Sequence, residues 1–322
     1  MASFVQTLIL GILVGALYAL MASGLTLIFG VMRVINLAHG AFAILAAFLT
    51  YTLWQTLGLD PILSIPIVMA VMFGIGWLAY VLVIRHVRGS HVSMTVLATF
   101  GIALMLEGLM GFIWGNTSTS VRAPYTDASV SLGPLYVPQV MLIAAGIAVL
   151  VIGALYLILN HTWAGRAIRA ASSNEGGALL VGVSVATVAA LTFAIGVSTL
   201  GAGGAMLSTV YPFLPGSHYQ WIARLLAIVV LGGLGSLPGA IIGALVIGVG
   251  EMAATTYLGA AWPVAVPFLV IIVVLVTRPQ GILGTRLRED AVVCPPARHR
   301  PARHPRPGCS TPDSGSCRVA PS

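Results

Sequence analysis

Arg33, Asn36 and His39 recur every third residue inside the otherwise apolar stretch Gly24–Gly40, G-L-T-L-I-F-G-V-M-R-V-I-N-L-A-H-G. A charged side chain at membrane depth costs at least about 2.5–3.5 kcal/mol. A chain that keeps three polar groups here is expected to bury them against protein or a watery cavity. Non-helical backbone is tolerated at such depth under the same condition. Glycines flanking a polar kink therefore point to a lined path for a solute, with Gly40 at its end. For His39 alone, a satisfied buried hydrogen bond outweighs direct solute contact.

Other ionisable groups fall inside apolar runs: Glu107, Arg224 and Glu251. Such groups usually face a bundle interior and pair with one another. Glu107 suits a buried structural partner, a hydrogen bond between subunits or a path role about equally. Glu251 lies toward the end of its run, where a wet or capped position is expected. Outside these runs, N-H-T-W-A-G-R-A-I-R-A-A-S-S-N-E carries Arg166, Arg169 and Glu175, and its Ala content suits a short helix over Gly165–Ala171. It reads either as an ordinary connector whose Arg residues set orientation or as a docking helix for a partner.

Missing motifs narrow the field. The fifteen basic residues are all Arg, so there is no G-x-x-x-x-G-K-[ST] phosphate loop and no ATP hydrolysis by this chain alone. There is no H-E-x-x-H, no G-x-S-x-G and no acidic cluster suited to a metal. No enzyme activity and no cofactor are expected. Cys294, Cys309 and Cys317 match no zinc or redox spacing.

The elements that position these residues are membrane helices. Of 322 residues, 58% are hydrophobic and 7% charged, where soluble domains carry roughly 25% charged residues. Apolar runs cover Phe4–Val31, Ala41–Leu57, Ile62–Ile84, Val92–Trp114, Pro138–Leu159, Val185–Val210, Ile222–Leu234, Gly239–Leu258 and Pro263–Thr277. Most approach the ~20 residues that span ~30 Å of hydrocarbon. None shows the alternation of a β-barrel. The expected fold is an all-α polytopic bundle of about eight or nine segments, some broken or half-length. The net charge of +7 is better explained by Arg setting topology than by nucleic-acid binding. The first run lacks a basic leader and is too long for a signal segment, so it is read as a mature helix.

Arg85 and Arg88, Arg166 and Arg169, and Arg278, Arg286 and Arg288 each follow an apolar run. The positive-inside rule makes these places cytoplasmic. Crossing parity then puts the N-terminus outside and the C-terminus inside, with Asn116–Val137 and Tyr211–Gln220 as outer loops. Two Gly-rich breaks, Gly24–Gly40 and Gly232–Gly243, fall in the two halves of the chain, the pattern expected of an internal repeat with a path at its interface. Gly235, Gly239 and Gly243 equally suit close helix packing, beside Gly232 and Gly233. Residues 1–288 are read as one transmembrane domain. From Glu289 onward the Pro-, Arg- and His-rich chain cannot bury a core and is read as a disordered tail.

Four blocks carry a resemblance: the Gly24–Gly40 stretch, G-R-A-I-R-A-A-S-S-N-E, V-V-L-G-G-L-G-S-L-P-G-A-I-I-G-A-L and R-P-Q-G-I-L-G. In this order, over about Phe4–Gly284, they resemble the permease subunits of branched-chain amino acid ABC transporters (LivH type). The resemblance implies a binding-protein-dependent importer in a bacterial inner membrane. Its implied partners are a second homologous permease, two cytoplasmic ATPases and an external solute-binding protein. It implies an ATPase-contacting role for Gly165, Arg166, Arg169, Ala170 and Glu175, and matches the family's N-x-A-H-G block to Asn36, Ala38, His39 and Gly40. Relatives often carry an acidic residue after H-G, where this chain has Ala41. Urea or short-amide transport, and a standalone channel or secondary carrier, are the competing readings.

Overall fold

The computed structural model describes residues 2–87, 92–132, 135–277 and 281. The expectations for Arg88, Arg278, Arg286, Arg288 and the tail from Glu289 concern residues outside these. Eleven helices follow in order: α1 (Ala2–Met32), α2 (His39–Leu57), α3 (Pro61–Val87), α4 (Val92–Trp114), α5 (Gln139–His161), α6 (Trp163–Ser173), α7 (Glu175–Leu180), α8 (Val185–Val210), α9 (His218–Gly232), α10 (Leu237–Tyr257) and α11 (Ala265–Thr277). Among the described residues, seven are long and apolar enough to cross a membrane: α1–α5, α8 and α10. α9 and α11 are shorter, at 15 and 13 residues.

Local chemistry sets the boundaries. Asp60 caps α3, its Oδ1 accepting from the Ile62 N–H at 2.9 Å, with Pro61 at the first helical position. Ser184 and Ser236 cap α8 and α10 in the same way. Gly58, at φ 63°, ends α2 in the left-handed conformation. α3 widens to a π-helical turn over Tyr80–Ile84, the kind of local expansion that bends a helix.

α1 and α8 form the centre. The most apolar stretches of the two are 67% and 72% buried, against 28% or less for α3, α4 and α5. Hydrocarbon provides little drive for helices to associate, so close backbone contact does the work. A methyl group at Gly248 of α10 would lie 2.6 Å from the Gly15 Cα of α1, and Gly24 of α1 abuts the carbonyl of Gly196 in α8. Gly24 therefore serves packing, and α1 runs unbroken past it to Met32. The expected break over Gly24–Gly40 shrinks to residues 33–38.

The second break falls where expected, between α9 and α10, with Gly233 and Gly235 at φ 100° and 85°. The chain turns at Gly233 and Gly235, while Gly232 and Gly239 press backbone to backbone and Gly243 abuts the Ile228 carbonyl. A methyl at Gly30 would sit 3.5 Å from the Gly235 Cα, so the end of α1 meets this turn.

The opposite end is tied by loop contacts. Gln6 donates to the Tyr136 carbonyl at 3.2 Å and Tyr125 donates to Asp60 at 3.1 Å. Burial, then the Asp60 carboxylate, pushes the Tyr125 hydroxyl's pKa up and keeps it a donor. A small antiparallel ribbon of β1 (Ser129–Leu132) and β2 (Leu135–Pro138), absent from the sequence reading, pairs Ser129 with Pro138. A bridge between Thr119 and Phe213 fastens the two loops of this end together.

Glu251 corrects the expectation of a wet or capped position. It is 4% exposed, its Oε2 accepting from the Tyr18 hydroxyl and its Oε1 from Arg224 Nε, both at 2.6 Å. The Arg224 guanidinium also lies 4.9 Å from the Trp221 ring centroid, a favourable cation–π distance. Glu251 lies six positions before the end of α10 at Tyr257, enough to draw it inside, where its charge is tolerated because it is paired. This cluster joins α1, α9 and α10. Glu251→Ala would strand a buried guanidinium and is expected to cost about 3–5 kcal/mol. Glu251→Leu combined with Arg224→Leu is expected to cost less. Thermal unfolding in detergent checks the order; a double variant less stable than Glu251→Ala would show that the pair stabilises the bundle in its own right.

Candidate translocation path and inner loop

Two helices begin within the bundle and not at its ends. α2 starts at His39, whose Nε2 lies 3.1 Å from the Met21 carbonyl oxygen. Met21 is eleven residues back from the end of α1, roughly 16 Å along the helix. α9 starts at His218, whose Nε2 lies 3.0 Å from Glu107 Oε2, seven residues inside the end of α4. The two starts touch: a methyl at Gly40 would lie 2.5 Å from the His218 carbonyl oxygen. Their lead-ins, residues 33–38 and 211–217, are non-helical apart from a short 3-10 turn at Pro215–Ser217.

The first lead-in satisfies its backbone locally. Asn36 Oδ1 accepts from the Ala38 N–H at 3.1 Å, and the Leu37 N–H donates to Thr99 Oγ1 of α4 at 3.2 Å. Asn36 and His39 are almost wholly buried. Arg33 is not with them, which corrects the expectation that all three turn inward. It ends α1 at φ 52° with its side chain exposed, because a residue past the last helical turn is free to point away from the bundle. Glu107 is partly buried, and Oε2 accepts from Tyr219 as well, at 2.9 Å. Three side-chain atoms at this junction are buried without a hydrogen-bond partner: Asn36 Nδ2, His39 Nδ1 and His218 Nδ1.

His218 and Tyr219 escaped the sequence reading because they fell in what looked like an outer loop. The available signal was Pro215-Gly216-Ser217 just before a renewed apolar run, a helix start.

The segment 160–184 folds as two short helices, α6 and α7. Thr162 caps α6, its Oγ1 accepting from the Gly165 N–H at 3.2 Å. Gly165 abuts the Leu159 carbonyl of α5, which brings α6 tightly across the end of that helix. Arg169 donates to the Leu159 carbonyl and lies 3.4 Å from Asn160 Oδ1. It thus caps α5, whose last carbonyls lack helical partners. Arg166 is exposed and Ala170 half-buried. The two arginines are therefore not equivalent: one holds α6 in place and the other faces outward. Glu175 opens α7; its side chain lies outside the described residues. Trp163, Leu179, Leu180 and Val181 are exposed beside them. A cavity of about 700 Å³ lies behind α6, between α1, α5 and α10, and is apolar except near Asn160, Arg169 and Ser172.

Residues 7–275 match the family described as the permease component of the branched-chain amino acid transport system. The chain is 30% identical over 301 residues to the high-affinity branched-chain amino acid transport permease LivH of Salmonella typhimurium, covering 87% of this chain and 96% of that one. It is 28% identical over 297 residues to BraD of Pseudomonas aeruginosa, with the same coverage. To the probable LivH of Methanocaldococcus jannaschii it is 27% identical over 279 residues, 83% of this chain and 89% of that one. No solved structure matches. The match runs along most of the chain: this multi-pass membrane protein belongs to the branched-chain amino acid ABC transport permeases.

Proposed function

We propose that this chain forms one half of the path by which a branched-chain amino acid is imported, and that ATP-driven alternating access moves the solute. The observation that carries the reading is the meeting of α2 and α9 at Gly40 and His218 inside the bundle. Discontinuous helices that start at depth mark the binding region in transporters, and Asn36, His39, Gly40 and Glu107 cluster around this one. Arg33, exposed at the end of α1, would meet the solute as it leaves. The other half of the path would come from a second, homologous permease. A solute-binding protein would deliver from outside, and two ATPases would drive the cycle from within.

The proposed orientation has the N-terminus outside and α6 and α7 in the cytoplasm of a bacterial inner membrane. Support comes from Arg85, Arg166 and Arg169 following outward-to-inward crossings, as the positive-inside rule requires. A Ser172→Cys variant lacking Cys294, Cys309 and Cys317 is expected to resist an impermeant thiol reagent applied from the periplasmic side. Labelling from that side overturns the orientation.

ATP-driven motion would enter through α6 and α7. Gly165 and Arg169 fix α6 against α5, so a push on α6 is passed to a helix of the bundle. Arg166 is placed to pair with a carboxylate of the partner, a task suited to its planar fork. Ala170 keeps the helix slim, and Glu175 opens the segment that follows. Arg166→Ala with Arg169→Ala is expected to leave insertion and orientation intact while lowering ATPase co-purification and uptake, and Lys at both positions is expected not to restore full coupling. Normal ATPase recovery and uptake in the double-Ala protein would end the docking assignment.

A further inference from the structure

Among the described residues, the three buried side-chain atoms without a partner, Asn36 Nδ2, His39 Nδ1 and His218 Nδ1, all belong to the starts of α2 and α9. A buried polar group left unpaired costs about 1–3 kcal/mol, and folded chains keep such groups rare. Their concentration at one junction calls for a partner that comes and goes.

Their other contacts fix what each atom can do. Asn36 Oδ1 accepts from the Ala38 N–H, so Nδ2 is a donor. His39 Nε2 faces a carbonyl oxygen and must carry its proton, which leaves Nδ1 of the neutral ring as an acceptor. His218 Nε2 faces the Glu107 carboxylate and donates to it, which leaves its Nδ1 an acceptor in the neutral ring and a second donor in the charged one. The first turn of α2 adds backbone N–H groups without helical acceptors and the positive end of a helix dipole. The junction thus presents donors and acceptors that cannot satisfy one another through the contacts already made.

We infer that the α2–α9 junction is the head-group site for a zwitterionic α-amino acid. Asn36 Nδ2 and the start of α2 take the carboxylate, the imidazole Nδ1 of His39 takes the ammonium group, and His218 lines the site beside them. This rests on the reading of the chain as an amino-acid path and names the atoms that recognise the solute. In this conformation the site is shut, with Asn36 and His218 each 1% exposed and the Gly40 backbone against the His218 carbonyl. The solute enters when the two helix starts part.

The test uses the assembled transporter in vesicles, with its ATPases and binding protein. Asn36→Asp and Asn36→Ser both retain an oxygen able to accept from the Ala38 N–H, so the start of α2 survives either change. Asp sets a second carboxylate against that of the solute. Uptake is expected to fall by about tenfold or more with Asp and less with Ser, while ATP hydrolysis stimulated by loaded binding protein stays within about twofold. Uptake within about twofold of the unmodified protein for both variants would reduce Asn36 to a cap, with ordered water on the three atoms. Joint loss of uptake and ATP hydrolysis, or failure of both variants to assemble, would mark a structural residue and equally overturn the site. An unmodified transporter that imports no branched-chain amino acid refutes the proposed function instead; normal import with an unaffected Asp variant refutes the head-group site alone.

Discussion

Backbone N–H and C=O groups away from water must find partners, and in hydrocarbon the penalty for failing is several kcal/mol per group. Long helices meet this demand without help. The informative places are those where the chain leaves the helix and still complies. Over 33–38 it does so with an Asn side chain turned back on its own backbone and with Thr99 borrowed from α4. At the opposite end, Phe213 and Val121 pair with Thr119 and Ser208 through main-chain bonds. Non-helical backbone is held by specific polar contacts at each of these places, and these are the places where α2 and α9 are launched from inside the bundle.

The sequence made the class and the long spans legible, because composition and apolar run length report directly on a bilayer. It also singled out Asn36 and His39, since polar atoms stand out in an apolar stretch. Pairing was less legible. Tyr18 and Glu251 are 233 positions apart and Arg224 and Glu251 are 27 apart, and no local pattern announces such contacts. α9 was blurred for another reason: its first turn, His218-Tyr219-Gln220, is polar enough to read as loop, while His218 alone of the three lies buried against Gly40. Arg33 was misplaced inward because a one-dimensional reading cannot tell the last helical turn from the residue beyond it.

The α6 segment shows how two like residues divide a task. Arg166 and Arg169 are one turn apart and suggest a single basic face. Arg169 instead closes the end of α5, while Arg166 remains directed away from the bundle. Capping of this kind makes α6 a rigid continuation of α5 in mechanical terms, although a separate helix by direction. The cavity behind it leaves room for that unit to tilt without first breaking a dry core.

The glycines of α1 fix something beyond close packing. Gly15 faces α10, Gly24 faces α8 and Gly30 faces the α9–α10 turn, so one helix presents three notches at set angles along its length. Each residue advances the helix by about 100°. One residue inserted between Gly15 and Gly24 would swing the later notches by that angle and drive side chains into α8 and the turn. Over evolutionary time α1 can exchange many of its apolar side chains, but its length between these points is frozen, and related chains should differ there by substitution and not by insertion or deletion.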